Sequence, residues 1–207
     1  MNLPQTFSCR MPILILLLSA ALASAVAQAP VTPPTPVDPA LLAKAAAGDA
    51  AAQVQVGDAY AAGKGIPRDS RQLAADYTQA AAWYRKAADQ GNTVGQIHLG
   101  DLYRDGRGVS RDMAQAIVWY RKAADKGDAG AQGTLGLLYS VGMGVQQDYI
   151  EAYYWLSLAA AAKGQNQAKY MANRQSVGEH ITTDQQSAVE DRVAAWQAAH
   201  PRPSAAQ

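Results

Sequence analysis

Few of the chemically reactive residues occur in a spacing that suits a known reaction. The turn Gly106-Arg107-Gly108 resembles a phosphate-binding loop, but it follows a predicted helix rather than a strand and lacks the third glycine. The histidines His98, His180 and His200 share no metal-ligand spacing, and no H-E-x-x-H motif is present. Neither G-x-S-x-G nor S-x-x-K occurs, so no motif supports a serine nucleophile. The sequence therefore predicts no catalytic residue and no metal site.

An aspartate recurs after each glycine-rich turn, at Asp69, Asp112 and Asp148. Paired carboxylates can act as a general acid and a general base, but each of these precedes the start of a separate predicted helix. An aspartate at that place accepts hydrogen bonds from free backbone N–H groups of the first turn. We therefore interpret the three aspartates as helix N-caps.

Composition excludes several further classes of protein. The 207 residues carry 18 basic and 17 acidic side chains, which gives a formal net charge of +1. A nucleic-acid-binding domain would need a basic patch and a much higher pI than the value of about 7.8 found here, so no nucleic-acid partner is predicted. Cys9 is the only cysteine, which excludes a disulfide framework and a four-cysteine zinc site.

The N-terminus has the pattern of a secretory signal peptide. Arg10 precedes an apolar run over residues 11–25 that ends in small residues. Signal peptides combine such a positive flank, a short apolar segment and an A-x-A cleavage site. Cleavage is predicted after Ala25 or after Ala27. The alternative is a membrane anchor, but a span needs ~20 apolar residues, so we expect no membrane span after cleavage.

Two sequence blocks recur along the rest of the chain. Successive tryptophans of the first block are 36 residues apart, at Trp83, Trp119 and Trp155. The second block lies upstream and carries Tyr60, Tyr103 and Tyr139. The tyrosine-to-tryptophan spacing is 16 in the second and third units and 23 in the first. Seven extra residues therefore lengthen one helix of the first unit by two turns, which preserves the direction of its faces.

Each unit is predicted to form two helices. In the second unit, Gly100 lies on the packing stripe of the first helix, where it allows a neighbouring helix to approach closely. The first helices end at Gly63, Gly106 and Gly142, which suit the left-handed conformation of a helix terminus. The second helix buries its tryptophan among small residues, and Gly91, Gly127 and Gly164 close the units.

Beyond the third unit the repeat pattern fades into a predicted cap. Residues 166–177 can form a helix, and Thr182-x-x-Gln185 has the pattern of a capping box at the start of another. The apolar residues of this last helix are Val189, Val193 and Trp196. Their spacing predicts an amphipathic helix that covers the open end of the stack.

These blocks resemble the Sel-one-like repeat (SLR) family, which is related to the tetratricopeptide repeats. The second unit has nearly the whole pattern, LG-x-x-Y-x-x-G-x-G-V-x-x-D followed by W-Y-x-x-A-A-x-x-G. The resemblance implies an all-α, right-handed α-solenoid of helix-turn-helix repeats with a C-terminal helical cap. The predicted organisation is a signal peptide over 1–27, a proline-rich linker over 28–39, three repeats within 40–164 (46–91, 92–127 and 128–164), capping helices over 165–200 and a tail over 201–207.

The resemblance also implies protein–protein interaction with no cofactor and without enzymatic activity. Together with the signal peptide it predicts an exported scaffold in the bacterial envelope, periplasmic or alternatively secreted, that binds a protein or peptide. Its concave face is expected at offsets i, i+4 and i+7 of the first helices, where residues can vary without harming the stack. His98 borders this face and is added to the candidates. The candidate binding residues, called the groove positions below, are Val54, Asp58, Ile97, His98, Asp101, Arg104, Leu137 and Ser140.

Two other functions remain open at this stage. A binder of peptidoglycan or exopolysaccharide would need exposed aromatic residues, for which Tyr77 and Tyr149 are the candidates outside the repeat pattern. Some exported SLR proteins are associated with β-lactam binding or hydrolysis. Those resemble disulfide-stapled repeats with paired cysteines, and the predicted mature chain has no cysteine.

Overall fold

The structure is a computed structural model that describes residues 37–62 and 70–201, and over these ranges it holds nine α-helices and no strand. The helices are α1 (Pro39–Ala46), α2 (Ala50–Ala62), α3 (Ser70–Asp89), α4 (Thr93–Asp105), α5 (Met113–Ala124), α6 (Ala129–Val141), α7 (Tyr149–Ala160), α8 (Gln167–Gly178) and α9 (Thr183–Ala199). The all-α prediction is confirmed. The predicted signal peptide, most of the proline-rich linker, the tail beyond Pro201, Gly63 and Asp69 lie outside the described residues.

The helices pack as successive pairs. Helix α2 packs on α3, α4 on α5 and α6 on α7, and each pair contacts the next through α3 with α4 and α5 with α6. Helix α3 has 20 residues where α5 and α7 have 12, in agreement with the extension predicted for the first unit. Helix α1 begins within the segment predicted as linker, where Asp38 caps it by accepting a hydrogen bond from the Ala40 N–H.

Helix ends within the pairs form as the sequence predicts. Gly106 and Gly142 adopt left-handed conformations with φ of 70° at the C-termini of α4 and α6. Asp112 and Asp148 then accept backbone hydrogen bonds at the N-termini of α5 and α7. A tight, fixed reversal of the chain follows, because both helix ends have their free backbone groups satisfied.

Helix ends between the pairs are satisfied by side-chain hydrogen bonds that the sequence analysis did not predict. The side-chain amide of Gln96 donates to the Ala88 carbonyl at the end of the preceding helix, over 3.2 Å. Gln53 and Gln132 make the equivalent bonds to Ala45 and Ala124, both over 3.0 Å. These glutamines are almost fully buried and recur in register with the repeat tyrosines. Each therefore satisfies a C-terminal carbonyl that would otherwise be buried without a partner.

The tryptophans bind each helix pair to the one before it. Trp119 and Trp155 are 4% and 3% exposed, and each belongs to a core cluster that also contains residues of the preceding pair. Trp83 is only partly buried, because in the described chain the short helix α1 alone precedes its pair. The core is therefore a series of clusters, and the tryptophans of the second and third units pack in clusters shared with the unit before them.

The C-terminal cap has the predicted form. The capping box of Thr182 and Gln185 is present at the start of α9, with both reciprocal hydrogen bonds made. Val189 is buried, and Trp196 packs against the core cluster of the second and third pairs. Arg192 donates to Glu151 over 2.7 Å and ties α9 to α7. Helix α9 therefore covers apolar residues of the last pair.

Replacement of Gly100 by alanine tests the close approach of α4 and α5. The new Cβ would lie 2.8 Å from Cε1 of the buried Tyr120 ring, closer than van der Waals contact allows. We expect the free energy of unfolding to fall by about 1–3 kcal/mol, although alanine alone favours a helix by about 1 kcal/mol over glycine. Denaturant unfolding measures the change. Gly164→Ala is the control, since nothing lies within 4 Å of its Cβ position, and an equal loss there would contradict the packing argument.

Candidate functional site

A cleft of about 460 Å³ lies between α2, α3 and α4 and continues to the turn after α4. Four of the groove positions line it, namely Asp58, His98, Asp101 and Arg104. A second cavity, of about 610 Å³, lies among α7, α8 and the start of α9 and contains none of the groove positions. We therefore treat the first cavity, called the α2–α4 cleft, as the candidate site.

The other four groove positions lie elsewhere. Val54 is a correction: it is 7% exposed and belongs to the core cluster that includes Ala45 of α1, so it offers no binding surface. Ile97 is partly buried against the core of the next pairs. Leu137 is 38% exposed on α6, and the Ser140 hydroxyl donates to its carbonyl over 2.8 Å. Val54 and Ile97, which occupy offset i of their helices, therefore pack mainly in the core.

Asp58 is the first charged group of the cleft. Its Oδ1 atom accepts a hydrogen bond from the Tyr84 hydroxyl over 2.7 Å and lies 3.6 Å from Nε2 of His98. The Tyr84 and His98 rings are in contact, with centroids 4.9 Å apart. Tyr84 can reach Asp58 because Gly57, which has no side chain, lies beneath its ring. The Asp58 carboxylate itself is half-exposed, with 50% of its side-chain surface accessible.

The second unit repeats this arrangement and adds a cation. Asp101 Oδ1 accepts from the Tyr120 hydroxyl over 2.7 Å, as Asp58 does from Tyr84. Arg104 lies 2.8 Å from Asp101 and 2.8 Å from Asp105, and it also donates to the Tyr120 oxygen over 3.1 Å. A single guanidinium therefore bridges two carboxylates and holds them along one face of α4.

Burial and hydrogen bonding set the protonation of these groups. Burial raises the pKa of Tyr84, and the hydrogen bond to Asp58 raises it further. The same two causes raise the pKa of Tyr120 beside Asp101. The hydrogen bond from Arg104 lowers the pKa of Asp105. The phenols stay neutral donors and Asp105 stays charged at neutral pH, so the cleft offers fixed charges and aromatic surface for noncovalent recognition.

Seven of the residues that line the cleft are not groove positions, and Tyr77, Tyr84 and Arg107 are among them. Tyr77 and Arg107 form part of the wall, with the Arg107 guanidinium 5.6 Å from the centroid of the Tyr77 ring. Tyr84 also lines the cleft, although its ring is almost fully buried. The offset rule considered only first helices, whereas Tyr77 and Tyr84 come from the second helix α3. Tyr149, the other aromatic candidate, stacks on His180 with ring centroids 4.4 Å apart.

The surface equivalent to the cleft wall changes character in the third unit. The residues 36 positions after Asp101, Asp105 and Arg107 are Leu137, Val141 and Met143. These three, called the apolar row below, are 38%, 62% and 47% exposed. Tyr120 is likewise replaced by Leu156, so the third unit has no counterpart of the Asp–Tyr hydrogen bond. Equivalent positions thus change from charged to apolar from α4 to α6.

Metal and membrane sites were sought over the described ranges. Among those residues no three or more histidine, cysteine, aspartate or glutamate side chains are grouped so that they could hold a metal ion. None of the helices in the same ranges combines the length and the apolar character needed to cross a membrane.

Stacked helix pairs with recurring glycine turns and tryptophans define a helical-repeat solenoid. Comparison with known families gives the same result from the sequence: the Sel1 repeat model matches residues 50–92, 93–128 and 129–163. The chain belongs to the Sel1 repeat family, as the sequence resemblance predicted. Members of this family generally act as non-catalytic scaffolds for protein–protein interaction.

Two solved structures are similar to this chain. One is c5321, a protective antigen of uropathogenic Escherichia coli strains that displays an SLR fold, with 29% identity and a TM-score of 0.62. The match covers 81% of this chain and 36% of the antigen, so the chain spans about a third of that protein. The other is a Sel1 repeat protein from Oxalobacter formigenes, with 34% identity, a TM-score of 0.54 and coverage of 61% and 92%. Comparison with curated proteins gives no match.

Alkaline pH tests the two buried phenols. Above pH 10.0, the ordinary pKa of tyrosine, the unfolded chain loses phenolic protons that folded Tyr84 and Tyr120 keep. Stability from these residues is therefore complete below pH 10 and is lost as the pH rises beyond it. We expect Tyr84→Phe, Tyr120→Phe to lose less stability than the native protein over this range, measured by denaturant unfolding at several pH values. Parallel pH profiles for the two proteins would contradict the assignment.

Proposed function

We propose that this protein is an exported, non-catalytic scaffold of the bacterial envelope that binds a protein or peptide through the α2–α4 cleft. The observation that carries the proposal is the cleft itself, where four of the groove positions meet around partly exposed charges. Membership of a family of interaction scaffolds supports the same function.

The cleft suits recognition because its polar groups are already ordered. Tyr84 fixes Asp58, while Tyr120 and Arg104 fix Asp101, so little conformational freedom remains to be lost when a partner binds. The charged groups lie at the surface and are partly hydrated, which favours selection between partners over high affinity. A rigid stack of helices keeps these groups at constant distances from one another.

Binding of an envelope polysaccharide is the second candidate function. Tyr77 favours it, because this partly exposed ring lines the cleft and offers the flat apolar surface on which sugar rings stack. Arg107, Asp101 and Asp58 would supply hydrogen bonds around such a ring. A screen against peptidoglycan fragments and exopolysaccharides distinguishes this function from protein binding.

The mass of the purified mature protein tests export. We expect a chain that begins after Ala25 or after Ala27, recovered from the envelope fraction of the native host, because the N-terminal pattern is that of a cleaved signal. Intact-mass spectrometry identifies the first residue. A full-length chain that retains residues 1–25 would show that the segment is not removed and would contradict the proposal of a released scaffold.

Charge reversal tests the cleft as the binding surface. The variant Asp101→Lys, Arg104→Glu exchanges two charges that lie 2.8 Å apart, so the pair can still form while the pattern seen by a partner is inverted. We expect affinity capture from envelope extract to lose the native partner at least about tenfold, because like charges now face it.

A matched control comes from another ion pair. Glu151→Lys, Arg192→Glu exchanges the pair between α7 and α9, which lies outside the cleft. Both variants must show native helicity by circular dichroism. A partner kept by the control and lost by the cleft variant supports the proposal, and a partner kept by both, or lost by both, argues against the cleft.

A further inference from the structure

The charges of the α2–α4 cleft are unevenly balanced. Arg104 neutralises Asp101 and Asp105, each at 2.8 Å, and Arg107 lies 3.7 Å from Asp105. Asp58 differs, because no lysine or arginine among the described residues forms an ion pair with it. Its partners there are the phenol of Tyr84 and the imidazole of His98. The surplus negative charge of the described cleft is thus located at the Asp58 carboxylate.

The surroundings of Asp58 suit a cation better than an anion. Half of the Asp58 side-chain surface is accessible, so an ammonium or guanidinium group of a partner can reach this carboxylate. The side of the cleft formed by α2 beside Asp58 carries only the small side chains of Ala61 and Ala62, which leave room for a long side chain. A half-exposed carboxylate without a lysine or arginine partner among the described residues is a typical partner for a basic side chain.

The apolar row lies two first helices further along the stack. Leu137 and Val141 are one turn apart on α6, and Met143 follows in the turn after this helix. Neighbouring helices are separated by ~9 Å, so α6 lies roughly 18 Å from α2. An extended peptide advances ~3.3 Å per residue and covers that distance with about six residues.

We infer that the partner presents a lysine or arginine side chain to Asp58 and, about six residues away along its chain, apolar side chains to the apolar row. The inference rests on the proposed function, because it names the chemistry of the peptide that the scaffold selects. Charge fixes one end of the segment and burial of Leu137, Val141 and Met143 stabilises the other.

Synthetic peptides test both ends of this arrangement. The probes are capped peptides that contain one arginine and one Leu-Val pair. A spacer of serine and glycine separates the two and is short, about six residues long, or long. Each peptide is made in both chain orders. Matched peptides carry glutamate for arginine or serine for Leu-Val. Binding to the mature chain is measured by fluorescence anisotropy at low and high salt. We expect the arginine peptide with the intermediate spacer to bind best and to weaken at high salt.

Variants of the protein assign the contacts. Asp58→Asn keeps an acceptor for Tyr84 but removes the charge, and we expect roughly a fivefold loss for the arginine peptide and none for its glutamate counterpart. Asp58→Lys should reverse the preference between the two peptides. Leu137→Ser, Val141→Ser should weaken binding of the peptides that carry Leu-Val and leave binding of those with serine in its place unchanged. The control is Asp191→Asn, which removes an exposed carboxylate from α9.

Several results would overturn the inference. Equal affinity for the arginine and glutamate peptides, absence of binding by every peptide, or equal losses with Asp58→Asn and Asp191→Asn would each do so. The proposed function has a separate readout: a partner captured from extract that is lost with the Asp101/Arg104 reversal but kept by Asp58→Asn leaves the scaffold in place and removes this specificity.

Discussion

Each helix pair of this protein can bury its apolar face only against its neighbours, and the fold depends on that constraint. Trp119 and Trp155 meet it by packing in clusters that they share with the preceding pair, and Gly100 lets the two helices of one pair approach closely. The surface available to a partner is therefore formed by residues that do not pack between helix pairs, and the α2–α4 cleft is part of that surface. The same tyrosines that pack the pairs, Tyr84 and Tyr120, hold the cleft aspartates with their hydroxyl groups. Core and site share side chains.

Much of the fold could be predicted because the determinants are local and repeat in register. A left-handed glycine and a capping aspartate each act within one turn of the chain, so Gly106 and Asp112 predicted a helix end and a helix start that the structure contains. The capping box at Thr182 was predicted for the same reason, because both of its residues lie in one helical turn. Glutamine bonds between pairs were missed, since Gln96 acts on a carbonyl eight residues away whose need for a donor appears only when the helices are packed.

The candidate site was less predictable, for reasons that lie in packing between helices. Val54 satisfies the offset rule for an exposed face, yet it is buried because the cluster that it joins also contains residues of α1, a helix outside the repeat pattern. Tyr77 comes from the second helix α3, six residues before Trp83, and the offset rule considered first helices alone. Asp58, Asp101 and Arg104 were found because the offset rule describes well the residues that project between neighbouring first helices, and His98 was found because it borders the same face. The contrast between charged and apolar units became visible only once exposure was known.

The glutamine bonds give the stack a direction of growth. Every helix that ends between units has its terminal carbonyl satisfied by the unit that follows, and at the end of the array Gln167 and Gln186 do the same for Ala160 and Gly178. A unit inserted into the series brings its own glutamine and finds a carbonyl ready for it, so lengthening leaves the number of unmet backbone groups unchanged. Removal of the last helices has the opposite effect, because it uncovers a carbonyl that nothing earlier in the chain is placed to reach. The array can therefore be lengthened between units, whereas loss of its last helices leaves a backbone carbonyl without a hydrogen-bond donor.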